Sequence, residues 1–420
     1  MSREMKHSGV DWLGDIPSHW KLLRARFMFK QSTSKGNERL VLLSATQDRG
    51  VVDKSTLDSV VQVAENADLS LFKTVHRNDF VISLRSFQGG FEMSHEEGVI
   101  SPAYTVFRLC NQDYPHYYRY LFKSYGFIDK INSLTVGIRE GKNIQYVDFS
   151  NMLLPCFDID EQQKIASFLD RKCSEIDEMV VLQEKIIEEL KAYKQSVITE
   201  AVTKGLNPDV PMKDSGIEWI GEIPENWEVK RLKNVFRLKT GTTPDGYDVI
   251  GEGDKISWFT PSDISDECNE LYGSERSLLK SAVGDVELFP LGSIMFVGIG
   301  ASAGKLGYAQ IEGYSNQQIT ALIPNGVNGK YFYYFLIADK RRLKDNAFFT
   351  TLPIINNGYL SQNRVICPPI SVQNEVVEYL DTKCSEIDNL ISIKQSKIES
   401  LKEYKKSIIY EYVIGKKEVI

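Results

Sequence analysis

No run of this chain is apolar for long enough to cross a bilayer, and Met1 to Gly9 is polar, without the apolar core of a signal peptide. Cysteine is sparse. Its six copies (Cys110, Cys156, Cys173, Cys268, Cys367, Cys384) are widely scattered and include no CxxC pair, and they read as reduced, cytosolic thiols with packing roles. The five histidines (His7, His19, His76, His95, His116) all lie in the first half and show no metal-ligand spacing. There is no Gly-x-Ser-x-Gly elbow and no GxGxxG after a strand. Nor is there an Asn or Asp followed by two prolines and an aromatic, the motif of an amino-methyltransferase; Cys367-Pro368-Pro369-Ile370 does not supply it. An excess of positive charge is missing too. Fifty Lys and Arg stand against fifty-seven Asp and Glu, a net charge of −7. That excludes a binder basic over its whole surface, and leaves room for one whose positive charge is local. The absences together point to a cytoplasmic binding protein rather than an enzyme.

What is present is duplication. At 420 residues, 42% hydrophobic and 25% charged, the chain has the composition of a globular protein of two or more domains. Leu169-Asp170-Arg171-Lys172-Cys173-Ser174-Glu175-Ile176-Asp177 returns as Leu380-Asp381-Thr382-Lys383-Cys384-Ser385-Glu386-Ile387-Asp388. Apolar residues around both copies recur every seven positions in two rows. One row is Ile176, Leu190 and Val197, matched by Ile387, Leu401 and Ile408. The other is Met179, Ile186 and Tyr193, matched by Leu390, Ile398 and Tyr404. This is the seam of two helices packed lengthwise, broken once in each copy by Gln183 and Lys394, polar residues of the kind that fix register. Roughly 35 residues at ~1.5 Å each make a rod of about 50 Å. Asp160 and Ser371 suit N-caps, Gln163 suits a reciprocal cap, and Gly205 with Pro208 ends the first copy.

A second repeat opens each half: Lys6-His7-Ser8-Gly9-Val10-Asp11-Trp12-Leu13-Gly14-Asp15-Ile16-Pro17, and Lys213-Asp214-Ser215-Gly216-Ile217-Glu218-Trp219-Ile220-Gly221-Glu222-Ile223-Pro224, with Trp20 matching Trp227. Its glycines and proline predict a turn-rich lead-in pinned to a core by tryptophan. The division that follows is a globular half over 1–159, a long helix over 160–205, a second globular half over 206–370 and a second long helix over 371–420. The predicted class is α+β with pseudo-twofold symmetry. An antiparallel helix pair would put the globular halves at opposite ends of the rod. Strands are predicted at Leu40–Ala45, Asp79–Leu84, Ala103–Leu109, Ile256–Phe259, Ser293–Val297 and Ile319–Ile323, and helices over Pro115–Asn132 and Gly329–Asn346. Elsewhere the halves share little sequence. The supports repeat and the cargoes differ, as in two variants of one reader.

Candidate contact residues sit in loops after the strands. In the first half they are Arg85, Ser86, Gln88, Gly89 and Gly90, then Tyr104, then Arg139, Lys142 and Asn143. In the second they are Thr242, Ser262, Ser302 and Lys305, then Asn316 and Gln317, then Asn357, Tyr359 and Gln362. Glycine lets backbone approach a ligand, while Arg, Lys, Ser, Asn and Gln donate to phosphates or base edges. Plain turn chemistry is the alternative for each. The loop Gly298–Lys305 is not a P-loop, because Ile299 and Leu306 stand where the motif needs Gly and Ser or Thr. Basic residues near the openers (Lys21, Arg24, Arg26, Lys30; Lys230, Arg231, Lys233, Arg237, Lys239) read either as phosphate contacts or as a solvated face.

The duplicated openers Ser8–Pro17 and Ser215–Pro224, the helix pattern at Phe168–Asp177 and Tyr379–Asp388, the exit Ala201–Leu206 and the segment Ser86–Gly90 with Ser101–Tyr104 resemble the specificity subunit of a type I restriction–modification enzyme. The resemblance covers nearly the whole chain. It implies two target-recognition domains, each reading one half of a split sequence in double-stranded DNA. It implies paired helices that set the gap and dock two methyltransferase subunits, and a separate restriction and translocase subunit. It implies no catalytic residue and no cofactor in this chain, with S-adenosylmethionine, ATP and Mg2+ bound by partners. One departure is Pro155-Cys156-Phe157-Asp158-Ile159, where the family often has a double proline, kept here as Pro368-Pro369. The competing expectation is a coiled-coil scaffold whose halves bind proteins.

Overall fold

A computed structural model of the chain describes residues 3–35, 40–46, 49–57, 68–83, 90–110, 113–134, 144–243, 254–266, 269–280, 283, 286–345, 348–349 and 353–419. Two compact units emerge: residues 1–184 with 395–420, and residues 185–394.

The first unit begins with an antiparallel hairpin of Met5–His7 and Asp15–Pro17. Trp20, fully buried just after it, stacks on Phe157 at 3.7 Å and donates from Nε1 to Glu161 at 3.2 Å. Four antiparallel strands form the main sheet, in the order Phe29–Ser32, Thr105–Leu109, Phe80–Ile82, Phe91–Met93. Its inner face meets Pro115–Lys123 and Tyr125–Leu134 in a core rich in phenylalanine, with Phe29, Phe80, Phe107 and Phe122 in mutual ring contact. The single helix expected over 115–132 is two helices. Ser124 turns the chain into extended conformation (φ −71°, ψ 140°), and both its N–H and its hydroxyl donate to Leu121 O, closing the first helix.

The second unit repeats this plan on a different sequence. A hairpin of Met212–Asp214 and Glu222–Pro224 leads to buried Trp227. The sheet runs Phe236–Thr240, Ile319–Pro324, Ile294–Val297, Leu306–Ala309, Glu270–Leu271, so its first four strands follow the order of the first unit. The helix Gly329–Asp345 covers it, with Tyr331, Phe332, Phe335 and Leu336 buried.

The long helices span Ile159–Lys204 and Ile370–Val413. They run antiparallel within each unit. In the first, Phe168 meets the Tyr412 ring at 4.4 Å, and Asp177 accepts from Lys405 at 2.6 Å. In the second, Lys194 donates to Asp388 at 2.7 Å. Asp177 and Asp388 hold matching places in the repeat, as do Lys194 and Lys405, so one bridge is made twice. The inward positions alternate in steps of four and three: Leu169, Cys173, Ile176, Val180, Gln183, Ile187, Leu190, Lys194, Val197, Ala201, and Leu380, Cys384, Ile387, Ile391, Lys394, Ile398, Leu401, Lys405, Ile408. The first expected row is therefore in place, as is Ile398. The second row otherwise lies one residue further on than expected. Met179, Tyr193, Leu390 and Tyr404 are 47%, 58%, 46% and 54% exposed, and Ile186 is half-buried. A seven-residue period fits either of two adjacent rows. The true row was disguised by Lys194 and Lys405, whose aliphatic stems lie along the seam while their amines reach an aspartate.

The caps also differ from expectation. The helices start at Ile159 and Ile370, and Asp158, not Asp160, accepts the Asp160 N–H at 3.0 Å. Exposed Gln163 makes no side-chain hydrogen bond among the described residues; its neighbour Gln162 is fully buried. Gln162 accepts from Tyr114 N at 2.8 Å and donates to Phe157 O and Asp113. Its repeat partner Gln373 accepts from Asn328 N and donates to Pro368 O, both at 2.8 Å. Each glutamine thus ties the helix start to the loop before the domain's covering helix. Gln373→Leu strands the Asn328 N–H and the Pro368 carbonyl. We expect a loss of roughly 1–3 kcal/mol, measured by urea unfolding; a loss below about 0.5 kcal/mol would show that water replaces the amide.

Candidate nucleic-acid interface

In the second unit the strand ends Thr240 and Val297 and the strand starts Ile319 and Leu306 meet at one edge of the sheet, fixed by the pairs Thr240↔Thr320, Val297↔Ile319 and Phe296↔Leu306. The loops leaving this edge are laced to one another. Gly298 N donates to Gln318 O at 2.8 Å, Ile355 N to Gly298 O at 2.8 Å, and Thr242 N to Ser315 O at 2.9 Å. Gly241 has no room for a side chain: a Cβ there would lie 2.2 Å from Ser315 Oγ and 2.3 Å from Asn316 O. Glycine at that turn lets two loops close on each other.

Most of the second half's candidate residues converge on this edge. Thr242, Ser262 and Gln317 are exposed. Gln317 Oε1 accepts from Thr243 Oγ1 at 2.6 Å, and its amide nitrogen has no partner among the described residues, so it can donate to a base edge or phosphate. Ser262, on the turn Pro261–Asp263, is held by Thr260 at 2.8 Å. Three others are already engaged. Asn316 spends both amide atoms on Gln318. Asn357 donates to Thr240 and accepts from Thr320, each at 2.7 Å, so it braces the helix Asn357–Gln362 against the sheet edge. Lys305, 19% exposed, lies 3.5 Å from Asp266. Ser302 is half-buried, and its carbonyl receives Lys305 N. Tyr359 and Gln362 stand apart from the edge on the far side of that short helix, lining a cleft with Arg342 and Arg364.

The equivalent edge of the first unit is set by Ile82↔Thr105 and Ser32↔Val106. Ser83 N donates to Gly90 O at 2.7 Å, closing the base of the loop that carries Arg85, Ser86, Gln88 and Gly89. Those four, with Arg139, Lys142 and Asn143, lie outside the described residues, and Gly90 is buried at the loop base. Tyr104 is half-buried in the neighbouring turn, and its carbonyl receives Lys73 Nζ at 2.5 Å. Burial holds the Lys73 amine below its ordinary pKa, so a cation sits partly desolvated beside this edge.

Sequence reasoning missed Lys73, Thr240, Thr320, Thr243 and Asp266, which carry no motif and acquire roles only when distant loops meet. Among the basic residues near the openers, Arg237 and Lys239 face Glu287, whose carboxyl the Arg237 hydrogen bond holds low, and Lys230 pairs with Glu228 at 2.8 Å. Among the described residues no cluster of His, Cys, Asp or Glu is arranged to hold a metal, and no helix is long and apolar enough to cross a membrane.

Residues 224–403 match the family model for the type I restriction modification DNA specificity domain. The chain is 27% identical over 361 residues to the type I restriction enzyme MjaVIII specificity subunit of Methanocaldococcus jannaschii, covering 81% of this chain and 80% of that one. It is 29% identical over 193 residues to the MjaIX specificity subunit of the same organism, covering 44% of this chain and 43% of that one. Its fold superposes on a chain from a study of assembly and conformational transition in the type I restriction–modification system, with a TM-score of 0.75 at 15% identity, covering 95% and 98% of the two chains. The HsdS subunit from Thermoanaerobacter tengcongensis gives a TM-score of 0.56 with the same identity and coverage. Two domains of one plan on repeated helices, a domain model matched over residues 224–403, and similarity to named relatives along most of the length together make this chain similar to the specificity subunits of type I restriction–modification enzymes.

Proposed function

We propose that this chain is the non-catalytic DNA reader of a type I restriction–modification complex, with residues 1–159 and 206–370 each reading one half of a bipartite target. The observation that carries the reading is the pair of equivalent sheet edges, built on one strand order and presenting different side chains. A shared scaffold with private loops is what two half-sites of different sequence require. Base edges fall to exposed groups such as Gln317, Thr242 and Ser262. The long helices fix the spacing, as dimer geometry fixes half-site spacing in other DNA binders.

Two methyltransferase subunits would dock on the helices, and a restriction and translocase subunit would complete the assembly in the cytoplasm. S-adenosylmethionine, ATP and Mg2+ belong to those partners. Exposed apolar residues on the helices support docking: Met179, Val181 and Leu182 in the first unit, Leu390 and Ile393 in the second. The double substitution M179E/L182E should weaken co-purification with the methyltransferase at least tenfold while leaving the unfolding curve in place. Retained co-purification would remove that surface from the docking site.

Methylome sequencing of cells with and without the gene tests the function itself. One bipartite adenine-methylation motif should vanish on deletion, and exchange of residues 20–159 for those of a relative should rewrite one half-site only. An unchanged methylome, in cells where the methyltransferase is active, would favour the protein-binding scaffold.

A further inference from the structure

Most cations of the second unit are neutralised within the chain. Lys230 pairs with Glu228, Arg237 and Lys239 with Glu287, Lys305 and Lys340 with Asp266, Lys330 with Glu270 and Asp381, and Arg342 with Asp339. As with Lys213, Arg276 and Lys280, no carboxylate among the described residues pairs with Arg231, Lys233 or Arg364. Two of these three face each other. The antiparallel ribbon of Glu228–Arg231 and Arg364–Cys367 puts Arg231 directly opposite Arg364. Like charges in that relation repel and weaken the ribbon. In the first unit the same place holds Arg24 opposite Leu153, so the fold does not require the doubled charge.

Arg364 donates to the carbonyls of Gly216 at 2.9 Å and Ser215 at 3.4 Å, neutral acceptors that orient its guanidinium without cancelling its charge. Beside it lies a cleft of about 270 Å³ whose walls include Gly216, Arg342, Tyr359, Gln362 and Arg364. Arg342 is braced there by two 2.6 Å bonds to buried Asp339 and a third to Asn363. The cleft therefore offers a fixed guanidinium, an amide and a phenol, with net positive charge beside it. The short helix Asn357–Gln362 joins this place to the reading edge, where Asn357 is braced by Thr240 and Thr320. Six residues at ~1.5 Å span about 9 Å, or roughly three base-pair steps of 3.4 Å.

We infer that Arg231, Arg364 and the adjoining cleft form a clamp for a backbone phosphodiester of the DNA, a few steps outside the second half-site. The inference rests on the DNA-reading function proposed above. A phosphate between the opposed arginines would relieve their repulsion and accept from both, while Gln362 and Tyr359 supply further donors. The contact is blind to sequence and sets register and affinity.

The test uses the assembled complex with its methyltransferase subunits and a duplex carrying the methylated motif, with affinity followed by fluorescence anisotropy against salt. Arg231→Ala and Arg364→Ala should each weaken binding roughly 3–10-fold and lower the salt slope by about one, with the motif unchanged in the methylome. Arg231→Ala carries the test by itself if loss of the Gly216 contact disturbs the hairpin, because the Arg231 side chain makes no hydrogen bond among the described residues. Arg341→Ala, which removes an exposed cation paired with Asp345, should leave the slope alone. Neutral methylphosphonates placed outside the second half-site should weaken the wild-type complex at one position and have no added effect there in Arg231→Ala. Wild-type slopes in both variants, or full additivity with the methylphosphonates, would overturn the clamp while leaving the reading function standing. Failure of the wild-type complex to bind the motif would overturn both.

Discussion

Trp20→Ala is expected to cost about 3–5 kcal/mol, the range for deleting a fully buried large aromatic. Trp20 has no exposed surface, stacks on Phe157, packs edge-on to Tyr117 at 6.4 Å, and carries Arg3 over its ring at 5.5 Å. Its loss also removes one of three hydrogen bonds to Glu161, which binds Trp20, His19 and Arg3 together; burial pushes that carboxyl up, and the three hydrogen bonds outweigh it. The chain end closes on the same spot. Gly415, two residues past the second long helix, sits at φ +74°, and a Cβ there would lie 2.5 Å from Pro17 and 2.9 Å from Trp20, so this turn closes on the core of the first unit. Urea unfolding followed by circular dichroism should show a lower midpoint for the first unit, with the second unit's transition unmoved. Trp227→Ala, at the matching place against Gly205, should do the reverse. A loss below about 1 kcal/mol would mean that the core closes over the gap.

Inserting one matched heptad into each long helix, after Glu184 and after Lys394, should widen the gap between half-sites by about three base pairs and leave both half-site sequences unchanged. Seven residues add about 10 Å of helix against ~3.4 Å per base pair. Both insertions are needed, because the alternating steps of four and three and the bridges Asp177–Lys405 and Lys194–Asp388 hold one helix in register with the other. A heptad in one helix alone shifts every seam position beyond it and should destabilise the protein by several kcal/mol, since core residues lose their facing partners. Methylome sequencing reads the outcome directly. An unchanged gap, or altered half-sites, would end the view that the helices act as a ruler.

The supports of this protein were legible in its residues because they are local and repeated. Seven-residue spacing marked two long helices, Gly205 marked an end, and Trp20 with Trp227 marked buried anchors. The strands at 80–82, 105–109, 255–259, 294–297 and 319–324 were visible as short β-branched and aromatic runs between polar turns. The contact surface was less legible. Asn316 looked like a base reader and Asn357 like a phosphate contact by residue type, and they are engaged with Gln318 and with Thr240 and Thr320. Lys305 looked like a phosphate contact and faces Asp266. A side chain's availability depends on which distant group reaches it first, and residue type does not record that.

The sequence by itself determined that the chain is a duplication, that each copy ends in a long helix with one apolar seam, and that the two globular halves differ where contacts would be made. Periodicity and repetition are properties of neighbouring residues, so they survive without coordinates. Only the tertiary structure decided which of two adjacent rows forms the seam, that Gln162 and Gln373 anchor the helix starts, and that unlike sequences build the same strand order in both halves. It also decided that Arg231 meets Arg364 across a ribbon closed by residues more than a hundred positions apart. Those outcomes follow from the pairing of remote segments, where burial and charge are shared between partners that no local window contains.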